Sequence, residues 1–189
     1  MDNYTWWFLR FKGCTRGLFK IPDDVYLALA FFLLLGSIIL LTKKGLRKGI
    51  RYSALLLMLE YVVVIFGATV FCRIPYAERK IYLLPLWSYR AIYNGQAALL
   101  MENAMNVVLF IPIGVLLGVA FRNINCAKVV LVSSCISVLI ETMQFALKRG
   151  LAEFDDVMHN VLGSMIGYGF YSLVKIVYDW TSKKRVAVL

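Results

Sequence analysis

The chain has 189 residues, 61% of them hydrophobic, and a mean hydropathy of +0.73. Ordinary globular domains are roughly 45–50% apolar, so the excess belongs in lipid rather than in a protein core. Lys and Arg number 21 against 11 Asp and Glu, a net charge of +10. The basic residues sit in short runs between apolar stretches, which suits anionic headgroups and leaves no basic face for a nucleic acid.

Met1 to Lys20 carries Trp6, Trp7 and Phe8 close to Arg10, Lys12, Arg16 and Lys20. It lacks a continuous apolar stretch and does not read as a cleaved signal peptide; indoles beside cations fit an N-terminal interfacial segment. A helix that crosses a bilayer needs about 20 mostly apolar residues. Five stretches qualify: Val25 to Leu41, Ile50 to Cys72 with Glu60 inside it, Asn103 to Phe121, Ala127 to Leu147, and Val157 to Tyr178. Arg73 to Met101 is too polar to cross and too long for a tight turn. Its stretch from Ile81 to Ser88, with Pro85 opposing a regular helix, reads as a re-entrant or interfacial loop before helix three. The expected fold is all-α: a polytopic bundle of about five transmembrane helices, one domain over residues 1–189, without internal repeats.

Lys43, Lys44, Arg47, Lys48 and Arg51 between the first two helices, and Lys183, Lys184 and Arg185 in the tail, place both segments in the cytoplasm. The N-terminus and residues 73–101 then lie outside, against the pull of their own basic residues. Cys14, Cys72, Cys126 and Cys135 are scattered, with no Cys-x-x-Cys spacing; a Cys14–Cys72 bridge on the outer face is the one pairing considered. One histidine, His159, and dispersed carboxylates lack metal-ligand spacing, so neither metal nor cofactor is expected. His159 reads as an interfacial histidine.

A charged residue at the centre of a spanning helix costs roughly 2.5–3.5 kcal/mol, so it must face protein or a water-filled cavity. In the fourth stretch Ser134, Ser137, Glu141, Gln144 and Lys148 fall within an arc of about 80°. In the fifth, Asp156 and Asn160 share a face with Gly163, Ser164 and Gly167, and Gly163-x-x-x-Gly167 permits close backbone approach. The third offers Asn103, Asn106 and Phe110, then Pro112 and a second such pair, Gly114 and Gly118. Alternate helices run in opposite directions, so Asn103, Asn106, Glu141, Gln144, Asp156 and Asn160 converge near one membrane face. One polar vestibule is the reading.

These residues also carry a resemblance. Asn106-Val-Val-Leu-Phe-Ile-Pro-Ile-Gly114 is similar to the N-x-x-x-F-x-P-x-G element of the VanZ-like family. Glu141-Thr-Met-Gln144, Arg149 and Asp156-Val-Met-His-Asn160-Val-Leu-Gly163 resemble its E-x-x-Q…R…D-x-x-x-N-x-x-G signature. Leu83-Leu-Pro-Leu-Trp87 is similar to the L-x-P-F segment, with Leu86 where an aromatic is usual. The resemblance covers about residues 83–168, and helices one and two match it only in character. It implies a bacterial cytoplasmic membrane protein that lowers sensitivity to teicoplanin, a lipid-bearing glycopeptide, and gives a phenotype rather than a reaction.

Three roles stay open for Glu141, Arg149 and Asp156. They form a structural ion-pair clamp in a bundle that assists a partner complex. They bind or modify a membrane lipid, a lipid-linked cell-envelope molecule or the drug's lipid part, with Arg149 able to fork onto a phosphate and Asn106, Gln144, Asn160 and Trp87 lining the ligand. Or they are catalytic in an enzyme acting on a lipid-linked phosphate or glycan intermediate, a carboxylate as general base and Arg149 on an oxyanion. Trp87, Tyr89 and Tyr93 double as headgroup anchors.

Overall fold

The structure, a computed structural model, describes residues 21–186. The N-terminal interfacial segment and Cys14 lie outside the described residues. Helix α1 (Asp23–Lys44) runs to Gly45, whose φ of 73° reverses the chain into α2 (Leu46–Phe66). A π-helical turn, Gly67–Phe71, continues α2. A segment with a short strand β1 (Lys80–Tyr82) and a two-turn helix α3 (Trp87–Tyr93) follows. Next come α4 (Ala98–Ala120), α5 (Cys126–Ala146), strand β2 (Leu151–Glu153) and α6 (Phe154–Val186). Five of these helices, α1, α2 with its π turn, α4, α5 and α6, are long and apolar enough to cross a membrane. The bundle is all-α and multi-pass, and α4 and α6 begin several residues before the apolar stretches expected from hydropathy.

The inner bundle is α4 against α6, and glycine makes it. A Cβ on Gly163 would lie 2.1 Å from the Val107 carbonyl oxygen, one on Gly167 2.0 Å from that of Ile111, and one on Gly114 1.9 Å from that of Ser164. No side chain fits at any of the three, so the backbones touch, as the two Gly-x-x-x-Gly pairs predict. Ile65, Val70, Phe110, Ile113, Leu117, Val129 and Ile140 form the buried core where α2, α4 and α5 meet. Helix α1 stands outermost. It has no buried residue, and Leu27, Phe31, Phe32 and Leu34 lie on its open surface, as befits a helix solvated by acyl chains. Asn125 caps α5, its side chain accepting from the Lys128 amide at 3.0 Å.

Residues 72–97 form a cap over the ends of the bundle. β1 pairs in parallel with β2, Ile81 opposite Ala152, a contact that no three-residue pattern announces. Pro85 does not exclude helix from this loop. Leu86 takes the left-handed conformation, φ 61°, and α3 starts directly after it.

Candidate functional site

The vestibule is built where the starts of α4 and α6 meet the end of α5, beneath the cap. Glu141 points inward from α5, and its Oε2 accepts from the Glu153 amide at 3.0 Å, which ties the helix to β2. Asp156, at the opening of α6, accepts from the Asn106 side chain of α4. One turn deeper, Asn160 Nδ2 donates to Ser137 Oγ of α5 at 2.8 Å. Three helices thus contribute Asn106, Glu141, Asp156 and Asn160 to one place, the convergence expected from helical spacing. Glu141 and Asp156 lie close enough to act on each other electrostatically.

Gln144 and Arg149 serve a second end, the π turn. Such a turn leaves carbonyls out of the regular ladder, and they must find other donors. Gln144 Nε2 donates to the Thr69 oxygen at 3.1 Å, and the Arg149 guanidinium donates to the Phe71 oxygen. Here one expectation is corrected. Among the described residues Arg149 forms no ion pair with Glu141 or Asp156, because it is spent on fastening α2 to the α5–β2 connection. The cation whose field reaches both carboxylates is Arg73, the first residue after the second helix with a charge. Lys148 also leaves the expected stripe. Its backbone turns left-handed, φ 56°, and its ammonium donates to the Ala77 oxygen at 3.3 Å. At the deep end Ser133 rather than Ser134 is fully buried, its hydroxyl satisfied by the Val129 oxygen at 2.7 Å.

Asp155 carries a role that its place in the connection between α5 and α6 did not announce. It is fully buried and accepts from the Leu86 amide at 2.6 Å, the Ser88 amide at 2.9 Å and the Ser88 hydroxyl at 2.6 Å. Asn103 Nδ2 adds a bond to the same hydroxyl at 3.1 Å. Three charge-assisted bonds offset the strain at Leu86 and lock α3 onto α6. His159, one turn on, meets the Tyr89 hydroxyl at 2.8 Å and pins the same helix. Trp87 stacks on Tyr82, ring centroids 4.5 Å apart, and borders Glu153. Burial, with Asp156 and Glu102 nearby, pushes the Glu153 carboxyl up to about 8, while the Trp87 indole pulls it the other way. The only sequence signal for Glu153 and Asp155 was their place in an acidic run just before a motif aspartate.

A family model described as VanZ/LLP1 matches residues 25–175, which takes in α1 and α2 as well as the motif-bearing helices. Protein VanZ of Enterococcus faecium is 33% identical to this chain over 72 residues, 38% of this chain and 45% of that protein. The matched stretch is therefore less than half of that relative. No solved structure matches. With the family model spanning most of the chain and the vestibule assembled from the motif residues, this protein belongs to the VanZ/LLP1 family.

Proposed function

We propose that this protein lowers sensitivity to teicoplanin-type lipoglycopeptides by binding, at the vestibule, an envelope lipid, a lipid-linked envelope molecule or the lipid-bearing part of the drug. The observation that carries the reading is the enclosure of Glu141, Asp156, Asn106 and Asn160 under a cap at one end of a bundle whose outer surface is apolar. Polar groups at that depth are retained only where they meet protein, water or a ligand. Arg149 itself stands outside the site. Engaged with the Phe71 carbonyl, it neither clamps the carboxylates nor faces them as an oxyanion partner. In this role the protein sits in the bacterial cytoplasmic membrane with the vestibule on the outer face, opposite the Lys43 to Arg51 loop and the basic tail.

The test is drug sensitivity of cells carrying Glu141→Gln or Asp156→Asn, read beside membrane abundance and melting temperature. Each substitution keeps shape and removes the charge. The expected outcome is normal abundance and melting with protection against teicoplanin lost. If protection and abundance fall together in both, the residues are structural and the binding role is wrong.

A further inference from the structure

The vestibule is chemically one-sided. The carboxylates of Glu141, Glu153 and Asp156 lie within one another's field, and Glu102 adds to it at Glu153 and Asp156. Arg73 opposes them at Glu141 and Asp156, from an exposed position. The neighbouring cations are turned away, Arg149 to the Phe71 oxygen and Lys148 to the Ala77 oxygen.

A second observation has the same sign. Gln144 Oε1 and Asn160 Oδ1 are buried oxygens that accept no hydrogen bond. Their side chains are only 3% and 4% exposed, and their amide N–H groups are already engaged by the Thr69 oxygen and by Ser137. The Gln144 oxygen packs against Gly150, and Asn160 lies one turn from Asp156 on α6. Buried acceptors without donors are rare because each forfeits its hydration. The Trp87 indole N–H, also buried without a partner, is neutral, so what the vestibule lacks is positive charge.

That need discriminates among ligand groups. A phosphate brings only acceptors and more negative charge. A bare metal ion wants several oxygens converging on one point, and among the described residues no three His, Cys, Asp or Glu side chains do so. A primary ammonium carries its charge on three N–H donors spread tetrahedrally, which suits acceptors set apart from one another.

We propose that the vestibule takes a primary ammonium group, of a lipid headgroup or of a soluble amine, between Glu141 and Asp156, with Asn160 Oδ1 as the neutral acceptor. This rests on the binding role above and names the chemistry it recognises. Glu102, exposed at the start of α4, adds attraction at the entrance.

The test uses the full chain in phosphatidylcholine nanodiscs doped with equal fractions of phosphatidylethanolamine, its N-acetyl derivative or phosphatidylglycerol, with the retained lipid weighed by native mass spectrometry. Phosphatidylethanolamine should be retained over the other two by about tenfold, the scale of losing a charge-assisted hydrogen bond. Glu141→Gln should remove that preference. Glu102→Gln, at an exposed position, should reduce it at unchanged melting temperature. Glycerophosphoethanolamine in solution separates the two sources: displacement of the lipid assigns recognition to the amine alone, and failure to displace it makes the acyl chains part of the ligand. Equal retention of the free and N-acetylated headgroups, or a preference for phosphatidylglycerol, overturns the ammonium assignment. Neither of those results touches the protective role, which is read separately in cells exposed to teicoplanin.

Discussion

At Glu153 the protonation state is coupled to folding. The carboxyl, held up to about 8 in the folded chain against an ordinary 4.5, keeps its proton between those values while the unfolded chain has released it. The folded state then binds more protons, so its stability falls as pH rises through that window and is flat below it. Glu153→Gln removes the titration and leaves the backbone N–H that Glu141 accepts from. The wild type should melt lower near pH 8 than near pH 5, and the variant should show a flatter profile and a higher melting temperature near pH 8. A variant that melts lower than wild type there would mean the folded chain uses the charge. Glu141, Asp156 and Asn160 were legible beforehand because 100° per residue is a rule that helices obey. Arg149 and Asp155 were not, since both flank a loop whose course decides where a side chain lands.

Among the elements, the α4–α6 crossing offers the cleanest contrast. Gly163 and Gly169 lie on one helix, yet a Cβ at Gly163 would strike the Val107 carbonyl at 2.1 Å and one at Gly169 would meet nothing within 4 Å. Gly163→Ala should push the helices apart and cost about 1–3 kcal/mol, as overpacking does. Gly169→Ala should be neutral or gain up to about 1 kcal/mol from helix propensity. Thermal melts in detergent distinguish them, and equal melting of both would mean the crossing is looser than the contacts imply. This interface was readable from spacing alone. The β1–β2 pair was not: three residues are too few to show a period, and the pairing joins segments far apart in sequence.

For the whole molecule, alternation of five spanning helices puts the cap and the vestibule on one face, with Gly45, the 121–125 connection and the carboxyl-terminal end of α6 on the other. Labelling reads which face is outside. In a background without the native cysteines, Tyr93→Cys, at a position 92% exposed on the cap, should react with an impermeant maleimide on intact cells. Asn123→Cys, exposed between α4 and α5, should react only after permeabilisation. Reversed labelling would put the vestibule in the cytoplasm. The number of helices followed from hydropathy because lipid accepts no unsatisfied backbone, which leaves helix as the choice for each apolar stretch. Orientation was harder to read, since basic residues fall on both faces.

The parallel pairing of β1 with β2 also dictates an order of birth. During synthesis β1 and α3 emerge with no partner, because the strand, Asp155 and His159 that hold them are made only after α4 and α5. A pairing so distant in sequence forms late. The cap therefore waits at the membrane surface until the α5–α6 hairpin has entered, and the vestibule closes last, when the rest of the bundle is already in place.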